Sequence, residues 1–430
     1  MNLTESPAME VPTANGGKTL GGPVSELAIT LLTGGIDPHY ATGLSMALTG
    51  RGVQLELIAS TEMETPELRG APALKFLNLH GDTRGRKSRM GKLFFHLGFY
   101  RRLMRYAATA KPKVFHILWN YKLQWFDRTL LLVYYKALGK KLVFTAHNIN
   151  AAERDGTESL LNRLSLTFQY RFVDHIFVHT EKMKEELVTR FGVTGERVSI
   201  IPFGIYECVP STELTPAEAK QKLGLDGSEM VVLFFGRILP YKGLDYLVEA
   251  FQELAQRDPS YRLIIAGEPK KESTQYFREI QQKIERAGLG QRVIRKIGFI
   301  ANDEIELYFK AADALILPYT LIFQSGVLFM AYSFGLPVIA SDVGSFREDI
   351  VEGETGFVCR PSDAPDLART METYFQSSLF AALDSRRAEI AATARVRNSW
   401  DAVSATTCAV YSQLLAPGNL REHGKHDSAG

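Results

Sequence analysis

The sequence predicts an α/β protein made of two doubly wound, Rossmann-like domains in tandem, facing each other across a cleft. Three observations carry that reading. The chain has 430 residues, too many for one ordinary core. Short apolar runs rich in β-branched residues alternate with longer helical patterns, as in a parallel sheet covered on both faces. The alternation breaks once, in a polar stretch from Glu207 to Glu229 that contains Pro210, Pro216 and Gly224, and then resumes.

In chain order, strands are expected at Leu27–Leu32, Val53–Ala59, Leu74–Leu79, Val114–Leu118, Leu142–Thr145, His175–Val178 and Val198–Pro202. Helices fall between them, at about Tyr40–Gly50, Lys92–Thr109, Asp127–Leu138, Leu160–Phe172 and Glu181–Phe191. After the break, with a short helix at Ala217–Lys222, strands are expected at Val231–Phe235, Arg262–Ala266, Arg292–Ile297, Ala314–Leu317 and Val338–Ser341. Helices are expected at Leu244–Ala255, Gln275–Ala287, Asp303–Ala311 and Ser325–Phe334. Leu244, Leu247, Val248, Phe251 and Leu254 share one helix face, the face that packs on a sheet. The domains expected from this pattern are 25–206 and 207–395, with tails at 1–24 and 417–430.

Composition narrows the class. Hydrophobic content of 45% with 23% charged residues is that of a globular protein, and a net charge of +2 names no partner. Cys208, Cys359 and Cys408 are far apart and read as free thiols in a reducing compartment. Residues 1–24 lack the apolar core of a signal peptide, and no apolar run is long enough to span a bilayer. A cytoplasmic protein is expected.

Ligands of doubly wound sheets bind beyond the carboxyl ends of the strands, so the chemistry should lie there. The stretch Asp313 to Gly344 reads as strand, loop, greasy helix and strand. Ser325 is the expected cap of that helix, and the backbone N–H groups of Ser325, Gly326 and Val327 form an anion site at its start. Gly236-Arg237 ends another strand and Lys242-Gly243 opens the next helix, which puts a guanidinium and an ammonium where they can hold a diphosphate. Gly267-Glu268-Pro269 is a further small-residue turn at a strand end. In the first half, Gly34-Gly35 follows the first strand and allows close approach of backbone or ligand. His116 lies within a strand and reads as a satisfied core residue. His147, where strand becomes loop, can hydrogen-bond a sugar hydroxyl or take up a proton.

Common alternatives fail. Gly17-Lys18-Thr19 imitates the end of a P-loop, but Pro12 stands where its first glycine belongs. No Gly-x-Gly-x-x-Gly follows the first strand, and neither His-Glu-x-x-His nor Asp-x-Asp occurs. No cofactor and no metal is expected, and fixed cations would do a metal's work on a diphosphate.

Four stretches resemble the signatures of family 4 retaining glycosyltransferases of GT-B fold. They are Thr145-Ala146-His147-Asn148, Ile201-Pro202-Phe203-Gly204-Ile205, Gly236-Arg237 with Lys242-Gly243, and Gly335-Leu336-Pro337-Val338-Ile339-Ala340-Ser341-Asp342-Val343-Gly344. The resemblance covers about residues 26–415. It implies that Arg237, Lys242 and the Ser325–Val327 helix start hold the donor's diphosphate, and that His147 lies beside the donor sugar. It implies too that residues 396–416, with Trp400 and Tyr411, form a last helix crossing back to the first domain. The two glutamates usual in the family, one in the loop before the greasy helix and one within that helix, are replaced by Ile322 and Met330, and the loop reads Gln324-Ser325-Gly326, a form similar to that of some polysaccharide-assembly members. The implied partners are a nucleoside-diphosphate sugar and a glycan or lipid-linked saccharide. A weakly catalytic homologue binding a sugar or nucleotide within an assembly complex is the alternative.

One more segment carries chemistry. Arg84, Arg86, Lys87, Arg89, Lys92, Arg101, Arg102 and Arg105 are interleaved with Leu93, Phe94, Phe95, Leu97, Phe99 and Leu103 and include no acid. Such a helix reads either as a surface for anionic lipid or acceptor, or as a solvated face whose apolar side packs on the sheet. Nucleic acid is not expected, because no basic field continues elsewhere.

Overall fold

Seven strands of the first half pair in parallel: β1 (Ala28–Leu32), β2 (Gln54–Ala59), β3 (Leu74–Asn78), β4 (Val114–Ile117), β5 (Lys141–Thr145), β6 (His175–Val178) and β7 (Val198–Ile200). Their order is β3-β2-β1-β4-β5-β6-β7. The second half forms a parallel sheet of β8 (Met230–Phe235), β9 (Tyr261–Gly267), β10 (Val293–Ile297), β11 (Ala314–Leu317), β12 (Val338–Ser341) and β13 (Gly356–Cys359), ordered β10-β9-β8-β11-β12-β13. The computed structural model describes residues 27–81, 89–205 and 209–416, the side chain of Arg89 excepted.

Burial follows position in the sheet. Every residue of β4, β6, β11 and β12 is buried, as central strands covered on both faces require. The edge strands β3 and β10 are only partly covered. In both sheets the order reverses beside the first strand, between β1 and β4 and between β8 and β11. That reversal opens a crevice at the carboxyl ends.

The helix Leu244–Arg257 buries the expected stripe, Leu244, Leu247, Val248, Phe251 and Leu254. Other expectations need correction. The helix expected over Asp127–Leu138 is two, Gln124–Arg128 and Leu130–Ala137, parted at Thr129, whose ψ of −88° leaves the helical range. The strand β13 and the helices Ala364–Phe375 and Leu383–Arg397 were not expected. The strand is four residues long, too short for its period to show. Ser325 immediately precedes the helix Gly326–Ser333, but its side chain makes no capping bond. The Leu328 N–H, which a capping hydroxyl would take, bonds the Ser325 carbonyl at 3.1 Å.

The last helix, Trp400–Leu415, packs on Pro38–Gly50 of the first half. The Trp400 Nε1–H donates to the Ile205 carbonyl at 2.9 Å, and Arg51 pairs with Asp401 at 2.6 Å. A Cβ on Gly204 would stand 2.4 Å from the Trp400 indole, so only glycine lets the crossover strap lie there. Asn398 holds the same strap, donating to the Phe203 carbonyl at 3.0 Å. His116 is fully buried between the Tyr411 hydroxyl at 2.6 Å and the Thr145 hydroxyl at 2.7 Å. It is a satisfied core histidine.

Candidate active site

One wall of the interdomain cleft is built on β8, β9 and β11. Gly236, at the end of β8, has φ of 103°, and a Cβ on Gly267 would stand 1.9 Å from the Gly236 carbonyl oxygen. The two strand ends can approach this closely only as glycines. The next turn, Pro240–Lys242, is pinned to the end of β11, where a Cβ on Gly243 would meet the Pro318 carbonyl at 1.9 Å. That turn drives Lys242 inward.

Lys242 is 8% exposed and has no ion pair among the described residues. Its Nζ lies 3.2 Å from the position a Gly236 Cβ would take and 5.4 Å from the centre of the Tyr319 ring. Burial holds the ammonium below the usual lysine range, with Arg237 and Arg154 acting the same way and Tyr241 opposing. A buried cation without a partner is costly, and an anion placed beside it removes the cost. Val327, on the first turn of Gly326–Ser333, faces the same gap, 3.9 Å from that Gly236 Cβ position. The N–H groups of Gly326 and Val327 precede the first intrahelical bond and find no partner among the described residues.

Arg237 is exposed at the rim, free of ion pairs among the described residues. Glu268 is exposed beside it, its carbonyl accepting from the Ile238 N–H at 2.8 Å. Ser325 is buried, and Gln324 turns a buried Oε1 with no hydrogen-bond partner into the loop. Ile322 and Met330 are both buried apolar side chains.

The facing wall belongs to β1, β4, β5 and β6. The Gly34-Gly35 turn lies against the first domain's other strand ends: a Cβ on Gly34 would be 2.6 Å from the Trp119 carbonyl oxygen, and one on Gly35 3.3 Å from His80 Nδ1. His147 lies flat on Trp119, ring centroids 4.2 Å apart and planes 8° apart, with the edge of Tyr40 at 4.6 Å. Its Nδ1 is 3.0 Å from His179 Nε2, whereas its own Nε2 is buried without a partner. Burial, helped by His179 and His116, holds His147 well below the ordinary histidine range, so the ring is neutral.

Aromatic contacts join the walls. Phe203 stacks on Phe329 of the helix Gly326–Ser333 at 5.3 Å, and the Arg154 guanidinium lies 4.3 Å from the centre of the Tyr241 ring. Arg154 was not singled out in the sequence, and His179, which ends an expected strand, was given no role there. Both sit one loop or strand away from His147, and only the fold brings them to the site. Behind Gly34 and Trp119 lies a cavity of about 30 Å³, lined in part by His80, Phe99, Asp127 and Tyr135, room for one or two waters. Neither carboxylate oxygen of Asp127, nor the Tyr135 hydroxyl, makes a hydrogen bond of ordinary geometry.

The basic segment divides. Arg84, Arg86 and Lys87 lie outside the described residues, as does the Arg89 side chain. In the helix Arg89–Thr109, Phe99, Tyr100, Leu103 and Ala107 pack inward, while Met90, Leu93, Phe94 and Leu97 point to solvent, Phe94 65% exposed. Lys92, Arg101 and Arg105 are exposed. Arg102 is exposed but committed, its guanidinium bonding the Leu79 carbonyl at 2.8 and 3.0 Å. Among the described residues no helix is long and apolar enough to cross a membrane.

Comparison with known proteins agrees with this architecture. A family model described as Glycosyltransferase Family 4 matches residues 38–206, and one described as Glycosyl transferases group 1 matches residues 216–396. The chain is similar to D-inositol 3-phosphate glycosyltransferases: 28% identical over 287 residues to that of Corynebacterium efficiens, covering 63% of this chain and 65% of the relative. The Nocardia farcinica protein is 29% identical over 241 residues, 53% of this chain and 52% of its own. That of a Mycobacterium strain is 26% identical over 342 residues, 78% and 76%. The chain thus spans about two thirds and about half the length of the first two relatives. Among solved structures, sucrose-phosphate synthase from Thermosynechococcus elongatus superposes with a TM-score of 0.70 at 21% identity, over 90% of this chain and 99% of that one. HepE of Anabaena, solved with UDP and glucose, gives 0.70 at 20% identity, over 90% and 100%. With one family model on each domain and the two-domain fold beneath both, the chain belongs to the family 4 glycosyltransferases of GT-B fold.

Proposed function

We propose that this chain moves a glycosyl group from a nucleoside-diphosphate sugar to a glycan or lipid-linked saccharide, with retention of configuration and without a metal. The observation that carries the reading is Lys242: a buried, unpaired ammonium facing the Gly236 gap, opposite a helix start with free N–H groups. As the bond from the anomeric carbon to the leaving oxygen breaks, its electron pair passes to the diphosphate. Lys242, Arg237 and the helix start meet that growing charge in a site already organised for it. The acceptor hydroxyl attacks from the face the diphosphate is leaving, and its proton goes to a phosphate oxygen. His147 holds the sugar, and the first domain's loops at Gly34 and Trp119 hold the acceptor. Glycoconjugate or polysaccharide assembly is the role such an acceptor implies.

The test is binding and hydrolysis of UDP-, GDP- and ADP-sugars by the purified chain beside Arg237→Ala. One donor should bind and slowly hydrolyse, and the variant should bind it on the order of 10- to 100-fold more weakly. If no donor binds, the reading fails. Ile322 and Met330 favour a second reading, a homologue in an assembly complex that binds donor without turning it over. Saturable binding with no hydrolysis and no transfer would select it.

The exposed apolar turn Met90–Leu97, flanked by Lys92, Arg101 and Arg105, supports contact with an anionic bilayer. Sedimentation with phosphatidylglycerol vesicles should carry the wild type down and leave Phe94→Asp in solution. Equal behaviour of the two proteins would remove the membrane from the account.

A further inference from the structure

We infer that His179 is a positioning residue that fixes His147 as the tautomer with its hydrogen on Nδ1, so that His147 Nε2 meets a ligand only as a hydrogen-bond acceptor. The inference rests on the proposed function solely for the identity of that ligand, a donor-sugar hydroxyl.

The chain of contacts leaves little freedom. His179 Nδ1 lies 3.2 Å from the Ile201 carbonyl oxygen, which has lone pairs only. Nδ1 must therefore carry the hydrogen. A neutral His179 then has a bare Nε2, and the nitrogen 3.0 Å from it, His147 Nδ1, must donate. The last nitrogen in the series, His147 Nε2, is left with a lone pair, no partner and no solvent. The opposite polarity would need a cationic His179, donating at both ends. His179 is 6% exposed, with the aromatic edges of Tyr40 and Phe203 against it at 5.8 and 5.0 Å. Burial lowers its pKa to about 4, with the Ile201 and Pro202 carbonyls opposing. The cation is therefore disfavoured at neutral pH.

Ring orientation is set separately. The Trp119 stack holds the His147 plane, and Tyr40 blocks one edge. Trp119 and Tyr40 can fix where Nε2 points, but neither can decide whether it carries hydrogen. His179 alone among its described neighbours does that, through Ile201. The consequence is selectivity: a hydroxyl can donate to Nε2, whereas a carboxylate or carbonyl at the same place would set lone pair against lone pair.

The test is a two-bond ¹⁵N–¹H correlation spectrum of the full chain labelled with ¹⁵N-histidine, at neutral pH and without ligand, the His147 signals assigned by their loss in His147→Gln. The wild type should show His147 Nδ1 in the protonated, pyrrole-like range and Nε2 in the bare, pyridine-like range. In His179→Leu the two should shift toward the mixed tautomers of a free imidazole. A wild-type His147 protonated at Nε2, or a folded His179→Leu with an unchanged pattern, would overturn the inference. Should His179→Leu not fold, the wild-type spectrum decides alone. Donor hydrolysis is measured in parallel. The expected tautomer in a protein that binds no sugar nucleotide would sink the proposed function and leave this inference standing.

Discussion

The two domains share one topology and place a crevice at the same point of it, yet they furnish it oppositely. Beyond β8, β9 and β11 the second domain uses glycine, bare backbone and cations, with Lys242 buried and unpaired. Beyond β1, β4, β5 and β6 the first uses Trp119, Tyr40 and the neutral pair His147 and His179, with no cation in their hydrogen-bonded series. The first arrangement is a receptacle for charge and the second a shelf for a neutral, hydroxylated ring. A doubly wound sheet supplies the place; side chains at the strand ends supply the chemistry.

The comparison breaks most readily at Lys242. Lys242→Met should slow turnover by about 100- to 1,000-fold, the range for removing one preorganised group that stabilises developing charge. The same variant should unfold at an unchanged or higher denaturant concentration, because an unpaired buried cation is replaced by an apolar chain of similar length. Loss of stability would show that Lys242 is structural. His147→Ala, on the other wall, should slow transfer by a smaller factor, on the order of tenfold for one neutral hydrogen bond, and leave nucleoside-diphosphate affinity within about twofold. If it weakens the nucleotide as much as the sugar, the division of labour between the walls is wrong.

The effect of pH falls on stability rather than on turnover. Burial holds His116 at about 3 and His80 and His175 at about 4, each pushed from the ordinary value by desolvation first. Unfolded histidine titrates near 6.5, so between pH 6.5 and about 4 the unfolded chain binds more protons and stability falls as pH falls. Each group contributes a loss of about 2 kcal/mol between pH 7 and pH 5. Asp127, raised by burial to about 7 and partly offset by Tyr100 and the Tyr121 backbone, works the other way, as does Asp349 at about 6. The histidines outnumber them. The urea midpoint should therefore drop from pH 7 to pH 5, and a rise would mean that the imidazoles are wetter than the packing shows.

Much of this was legible in the chain. Runs such as Ala314–Leu317 and Val231–Phe235 announce buried parallel strands, and a glycine directly after a strand marks where a ligand or another backbone comes close. Arg237, Lys242 and His147 stand out because each is polar at the junction of an apolar run and a loop. The stretch between Gly344 and the last helix was not legible, since Gly356–Cys359 is short and the helix Leu383–Arg397 is mostly polar, leaving no period to read. The basic run misled in part: Arg102 bonds the Leu79 carbonyl, and two of the interleaved apolar residues, Phe99 and Leu103, are buried.

The sequence by itself determined the alternation of elements, the break between two sheets and the residue types at each strand end, because all three are properties of neighbours along the chain. Tertiary structure decided the rest. That Lys242 finds no ion-pair partner among the described residues, that Arg154 reaches Tyr241 and that His179 joins His147 to the Ile201 carbonyl are facts about groups far apart in sequence. Charge, hydrogen-bond polarity and desolvation act across space, over a few ångströms, and only the folded chain says which groups those are.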